Sequence, residues 1–191
     1  LSSNLQVVLH RLKPEQFVTP LRYRLADELP FVKNGEQVTK LLYHTTVYID
    51  GLHRKFPESL EAWFRTCEDW HSPVTDAELA YACGRLDPRH PDTSNTLEAI
   101  REVVENRPGN RILEVDREIW QEAAVLCGIL ARLQQHEKSE TSRLLNDALI
   151  FFTAQKHDCT VLTRNIRDFD LMLQIVPSGK VLFYRRPEKI V

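Results

Sequence analysis

What this chain of 191 residues has little of narrows its function before any motif is considered. It holds 6 glycines, and none of them forms the G-x-x-x-x-G-K-S/T loop that cradles nucleotide phosphates. The first apolar strand also carries no nucleophilic aspartate, which disfavours a phosphatase or phosphoryl-transfer enzyme of another α/β fold. There is no run of about 18 apolar residues, and the opening residues show neither a basic n-region nor an apolar h-region, so the expectation is a cytoplasmic protein with no membrane span or signal peptide. The four cysteines, Cys67, Cys83, Cys127 and Cys159, lie far apart without the paired spacing of a zinc site, and buried reduced thiols are expected. An excess of positive charge is missing too. With a net charge of −2 the chain presents no broad basic field, so a polyanion would have to be held by local basic clusters and metal ions.

What is present fits one ordinary globular core: 42% hydrophobic and 27% charged residues. Residues 1–39 read as an N-terminal arm or extension, with weak periodicity, Pro14, Pro20 and Pro30, a turn signal at Asn34-Gly35 and one short helix around Pro20 to Leu29. Residues 40–191 read as the main domain. Leu41-Leu42-Tyr43 is a short apolar strand ending at His44-Thr45-Thr46, where the threonines can cap the following helical turn. Leu60, Trp63, Phe64 and Cys67 repeat with helical spacing after Pro57. Ser72 to Thr75 suggests a brief strand and turn, and Thr75-x-x-Glu78 is a capping-box pattern opening a helix through Leu79, Ala82, Cys83 and Leu86. Arg85 to Thr96 reads as a loop, Leu97 to Asn106 as a helix and Arg111 to Val115 as a strand. Helices follow over Ile119 to Gln134 and Ser142 to Lys156, separated by a polar turn at Gln135 to Glu140. Cys159 to Thr163 is a strand, Asp168 to Ile175 a helix, Pro177 to Gly179 a turn, and Val181 to Tyr184 the last strand. Short apolar strands alternating with amphipathic helices specify an α/β sandwich with a mostly parallel central sheet flanked by helices. Ligands of such sheets bind beyond the carboxyl ends of the strands, near a switch point.

Carboxylates are the candidate chemistry. At about 100° per residue, Leu144, Ala148, Phe151 and Phe152 form one helical arc, with Asp147 at its edge and Glu78 similarly placed beside Ala82. Two acids at the margin of an apolar stripe suggest a shared acidic cleft. Each also has a plainer explanation: Glu78 would complete the capping box with Thr75, and Asp168 would suit the positive end of the last helix.

The segments Leu41 to Asp50, Ser72 to Leu79, Leu145-Asn146-Asp147-Ala148-Leu149-Ile150 and Leu162-Thr163-Arg164-Asn165-Ile166-Arg167-Asp168-Phe169 resemble, in order and spacing, the successive motifs of PIN-domain ribonucleases, most closely the VapC type of bacterial toxin. The resemblance runs over about residues 40 to 186. It implies a PIN-like nuclease domain in which Glu78, Asp147 and Asp168 bind Mg²⁺ or Mn²⁺ and take part in RNA cleavage. It also implies a homodimer and neutralisation by a small antitoxin whose tail enters the acidic cleft.

The departure is at the first position, where the family ends its opening strand with Asp-Thr and this chain has His44-Thr45. Asp50 is the nearest carboxylate, but His44 stands 34 residues before Glu78 and Asp50 only 28, and the former suits the family spacing. His44 therefore occupies the place of the first metal ligand. Imidazole removes a negative charge and favours borderline ions over Mg²⁺, so impaired chemistry is expected. The rival reading is a catalytically silent PIN-like module that binds RNA or protein. Thr45, Thr46 and Asn165 are candidates for orienting the scissile phosphate or solvent, and Arg164 and Arg167 for RNA phosphate contacts. Lys156-His157 and Arg185-Arg186 read as plain surface charge. Three crowded carboxylates should also leave part of the cluster holding protons more tightly than a free acid.

Overall fold

A parallel sheet covered on both faces needs strands that are apolar on both sides, and three of this chain's four strands meet that demand, the edge strand Glu68–Trp70 being the exception. The computed structural model describes residues 4–33, 36–135 and 138–187. Four strands, β1 (Lys40–Tyr43), β2 (Glu68–Trp70), β3 (Thr160–Thr163) and β4 (Val181–Phe183), form one sheet in the order β2-β1-β3-β4, with every pairing parallel. Side-chain alternation divides them between two apolar layers. Leu42, Val161, Val181 and Phe183 enter the larger core, while Leu41, Tyr43, Leu162, Leu182 and Tyr184 enter a second cluster on the other face.

The larger core is closed by α6 (Arg117–Gln134), α7 (Lys138–Lys156) and α8 (Ile166–Ile175). The second is closed by α2 (Thr45–Leu52) and α3 (Glu58–Phe64), through Val47, Tyr48, Leu60 and Phe64. Asp116 starts α6 by accepting from Glu118 N and Ile119 N, each at 3.1 Å, which satisfies two amides with no partner inside the helix. In the turn before β4, Gly179 lies against the Phe151 ring, where an added Cβ would sit 2.1 Å from Cζ. Only glycine fits that turn.

Several local expectations are corrected. The arm holds its helix earlier, as α1 (Asn4–Leu12), and residues 20–29 carry only a 3-10 turn, Ala26–Glu28. The physical reason is packing: Val8 and Leu12, one turn apart, are buried with the α6 side chains, and Arg11 pairs with the buried Glu122. The arm also borders the sheet, Phe183 N donating to Pro30 O at 2.8 Å and Val32 N to Phe183 O at 2.9 Å. Thr75 does not cap a helix. The helix α4 (Pro73–Arg85) starts three residues sooner, capped by Ser72, whose hydroxyl accepts from Val74 N at 3.2 Å with Pro73 as the first helical residue. α5 (Thr93–Glu105) likewise begins inside the expected loop. Arg111 to Val115 contributes a 3-10 turn at Gly109–Arg111 and a single bridge from Ile112 to His71 in place of a strand. Cys67 and Cys83 are half-buried and Cys127 and Cys159 buried, all four free. The Asn34-Gly35 turn lies outside the described residues, as do residues 136–137 of the Gln135 to Glu140 turn.

Candidate active site

β1 leads outward to β2 on one side while β3 lies on the other, so the strand order reverses between β1 and β3, and a crevice opens at their carboxyl ends. The sequence-predicted residues are delivered there by four elements. His44 follows the last residue of β1, its N donating to Leu162 O at 3.1 Å. Asp147 projects from α7, Glu78 from α4, and Asn165 and Asp168 from the start of α8.

His44 is the hub. Its ring is 4% exposed and stands edge-on to Phe169, 5.1 Å between centroids. Nε2 bonds Asp147 Oδ1 at 2.8 Å, and Nδ1 meets the hydroxyls of Thr163 at 2.9 Å and Thr46 at 3.1 Å. Asn165 Nδ2 then donates to two acids at once, Asp147 Oδ2 at 2.8 Å and Asp168 Oδ2 at 2.9 Å. Its own Oδ1 accepts from Asp168 N at 3.4 Å, so the residue that caps α8 also bridges the carboxylates. Glu78 accepts from Thr45 Oγ1 and, at 3.0 Å, from Asn146 Nδ2. The capping-box account of Glu78 fails, because Thr75 is buried in α4 with its hydroxyl on Tyr43 O at 3.4 Å. Asp168 does sit in the first turn of α8, so helix polarity and the cluster both hold it.

Asp147 is 1% exposed and its pKa is pushed up to about 6. Burial is the largest cause. His44 lowers it by charge and hydrogen bond, and Asp168 and Glu78 raise it again. Crowding of acids therefore contributes as expected, but loss of solvent dominates. Two further groups complete the site. Asn146 orients Glu78, and Arg143, largely exposed on the turn of α7 before Asp147, reaches Asp168 Oδ2 at 3.4 Å. Asn146 was visible in the Leu145-Asn146-Asp147 motif, and Arg143 at four residues before Asp147 on a helix.

Asp50 does not join this cluster. It is fully buried, accepting from Arg164 Nε at 2.7 Å, Arg186 Nε at 2.7 Å and the Tyr184 hydroxyl at 2.9 Å. Burial opposes its charge, yet the bonds from Arg186, Arg164 and Tyr184 prevail and hold its carboxyl below the usual range. Arg164, a candidate for phosphate contact, thus spends its guanidinium on Asp50, while its backbone N donates to Thr46 Oγ1 at 3.1 Å. Arg167 is exposed, with Nε on the Tyr23 hydroxyl at 3.0 Å. Arg185-Arg186 are not plain surface charge, since Arg186 clasps Asp50 and Arg185 lies over the Phe31 ring at 4.5 Å. Lys156 pairs with Asp116 at 2.5 Å and Glu118 at 3.1 Å.

The oxygens of Asp147, Asp168 and Glu78 are the hard donors a divalent ion such as Mg²⁺ or Mn²⁺ takes. Among the described residues, however, no three His, Cys, Asp or Glu side chains are already arranged as a metal cage. His44, Asn165, Asn146 and Thr45 instead satisfy the acids by hydrogen bonds. The donor chemistry fits the ion, and the hydrogen bonds are what an ion would displace.

The family model described as PIN domain matches residues 45–172. Among solved structures, the chain is similar to DNA-bound VapBC from Salmonella typhimurium, with 19% identity, a TM-score of 0.54, and coverage of 76% of this chain and 98% of that one. It is similar also to FitAB bound to an IR36 DNA fragment, with 20% identity, a TM-score of 0.52 and coverage of 78% and 99%. A third is VapBC-1 from nontypeable Haemophilus influenzae, with 16% identity, a TM-score of 0.52 and coverage of 75% and 96%. At such identities the likeness concerns the fold. No curated protein sequence matches.

Proposed function

Because this chain belongs to the PIN domain family, we propose that it is a metal-dependent endoribonuclease toxin of the VapC type, with its Mg²⁺ chemistry weakened by His44. The observation that carries this reading is the convergence of Asp147, Asp168 and Glu78, from three different helices, on the carboxyl ends of β1 and β3. A buried acid with a raised pKa among other acids is an arrangement that costs stability and marks functional sites.

In this mechanism Asp147, Asp168 and Glu78 would hold the ion. Mg²⁺ or Mn²⁺ would supply there a water of lowered pKa and positive charge to offset the negative charge that builds up on the phosphate. The chain's own groups do the rest. Asn165 fixes Asp147 and Asp168 in one orientation, Asn146 and Thr45 fix Glu78, and the Thr46 and Thr163 hydroxyls hold the His44 ring. Arg143 and Arg167, exposed beside Asp168, steer the RNA phosphates. His44 supplies nitrogen where the family supplies a carboxylate, so Mn²⁺ supports cleavage better than Mg²⁺.

Partners follow from the same reading. We expect a homodimer neutralised by a small antitoxin whose basic tail enters the acidic cleft, working in the cytoplasm; no helix among the described residues is long and apolar enough to cross a membrane. A monomer by light scattering at micromolar concentration would count against the dimer. The central test incubates the purified chain with single-stranded RNA across titrations of Mn²⁺ and Mg²⁺. Cleavage that appears with the ion, more readily with Mn²⁺, supports the proposal. RNA bound with no metal-dependent cleavage would reject it in favour of a silent binding module.

A further inference from the structure

The helices α4 and α5 form a hairpin rooted beside the acidic crevice. Its two ends are tied by the ion pair of Asp76, in the first turn of α4, with Arg107, just past the end of α5. At the same base the Thr75 hydroxyl bonds Tyr43 O, at the end of β1. The buried residues of α4 are Val74, Thr75 and Leu79, all in its first half, so the second half stands clear of both apolar cores. Glu78 marks the side of α4 that meets the crevice, because Thr45 and Asn146 of α7 both bond it. Three and seven residues further on, a helix returns to nearly the same side, and these positions are Tyr81 and Arg85. Helical side chains lean toward the helix N-terminus, so both lean back toward Glu78.

Tyr81 is 68% exposed, the most exposed Tyr, Trp or Phe among the described residues. One exposed aromatic is ordinary in itself. The charges around this one give it meaning. The other arginines of the hairpin are spent on carboxylates: Arg89 on Asp87, Arg101 on Glu98 and Glu105, and Arg107 on Asp76. Among the described residues Arg85 has no acid partner, and its guanidinium lies over the Tyr81 ring at 5.8 Å. On the other wall Arg143, 62% exposed, stands one turn of α7 before Asp147. The mouth of the crevice thus offers an aromatic face with a cation on either wall. Single-stranded RNA answers all three, with a base to stack on the ring and a phosphate on each side for the arginines. A double helix keeps its base faces inside the stack, and an acidic peptide answers the arginines but not the ring.

We infer that Tyr81 is the platform on which one base of a single-stranded RNA stacks, with Arg85 and Arg143 on the flanking phosphates, so that a phosphate near that base is presented to Glu78, Asp147 and Asp168. The inference rests on the ribonuclease reading for the occupant of the crevice, and it deepens that reading by naming the side chain that sets the register of the strand. Every base has a π-face, so stacking fixes the position of the strand and not its sequence.

The test measures binding by the full chain in EDTA, so that no strand is cut. Calorimetry compares a short single-stranded RNA with a sugar-phosphate oligomer of the same length that lacks its bases. Tyr81→Ala is expected to weaken RNA binding about tenfold or more and to leave the base-free oligomer unaffected, and Tyr81→Trp to keep RNA binding. Arg85→Gln is expected to weaken both and to lower the slope of log affinity against log salt by about 0.7. These side chains are exposed, so the variants should melt as the parent does. Equal RNA affinity of Tyr81→Ala and the parent overturns the proposal, and so does an equal loss for the two oligomers. A lower mass by light scattering for Tyr81→Ala, with RNA binding intact, overturns it too and puts the ring in an interface between copies of the chain. RNA held through Tyr81 but not cut once Mn²⁺ is added would keep this inference and remove the ribonuclease reading. Cleavage with no dependence of binding on Tyr81 would do the reverse.

Discussion

Two buried acids, Asp50 and Asp147, lie on either side of the end of β1, and they are treated in opposite ways. Asp50 receives two guanidinium groups and a tyrosine hydroxyl, more positive than negative charge, and its carboxyl is held below the usual range. Asp147 receives one imidazole and one neutral amide, faces two further acids, and is pushed up to about 6. The first arrangement spends its acid on holding α2 to the strand-end segment after β4. The second leaves negative charge under-compensated in a crevice, as a site must if a cation is to gain by entering.

The contrast can be broken most severely at Asp50. Asp50→Ala leaves Arg164 and Arg186 facing an empty buried site, and a loss of about 3–5 kcal/mol in unfolding free energy is expected by chemical denaturation. A loss below about 1 kcal/mol would mean the three partners re-solvate freely and that Asp50 is no structural centre. The isosteric Asp50→Asn should change RNA cleavage little.

Asp147→Asn is expected to act the other way round. Cleavage with Mn²⁺ should fall on the order of a hundredfold or more, since even the outer partners of metal ligands cost about 10–100-fold. The thermal midpoint should stay or rise, because an amide carries no charge to desolvate. A large fall in melting temperature would place Asp147 in the same class as Asp50.

His44→Asp sharpens the comparison by making the crevice more negative. We expect Mg²⁺-dependent cleavage to increase about tenfold and expression to become toxic without the antitoxin. Ion-free stability should drop by about 1–2 kcal/mol, roughly one pKa unit of added repulsion. No gain with either ion would show that His44 is not the position of the missing ligand.

The smallest effect is on acid stability. Since the folded pKa of Asp50 is lowered, the unfolded chain takes up its proton first as pH falls. The stability from this group is therefore whole above about pH 4 and is lost below it. Melting temperatures across pH 5 to 2.5 (an order-of-magnitude window around the free carboxylate value) should fall more steeply for the parent than for Asp50→Asn. Parallel curves would contradict the charge balance described for Asp50.

How much of this was legible in the residues depended on how local each feature is. β1, β3, β4 and α6 are continuous apolar patterns and stand close to where the pattern places them. β2 is Glu68-Asp69-Trp70, a three-residue edge strand with no apolar alternation, so its residues do not mark it as a strand. The start of α4 is ambiguous in the sequence because two cap signals compete there, and in the fold Ser72 followed by Pro73 prevails over Thr75. The acids of the crevice were found through motif order. The partners of Asp50 were not, because Arg164 and Arg186 lie 114 and 136 residues away and nothing in the neighbourhood of Asp50 announces them.

The arm carries one more consequence. Arg24 donates from its backbone N at 3.0 Å and from Nε at 2.5 Å to Asp170, a buried acid on the helix that begins with Asp168. Those groups are 146 residues apart. During synthesis, at about 5–20 residues per second, the arm would leave the ribosome about 7–30 s before the helix it clasps. Throughout that interval Val8 and Leu12 have no completed core to enter. The crevice-forming end of α8 is thus secured by a segment made well before it, in a contact that can form only once α8 itself has been made.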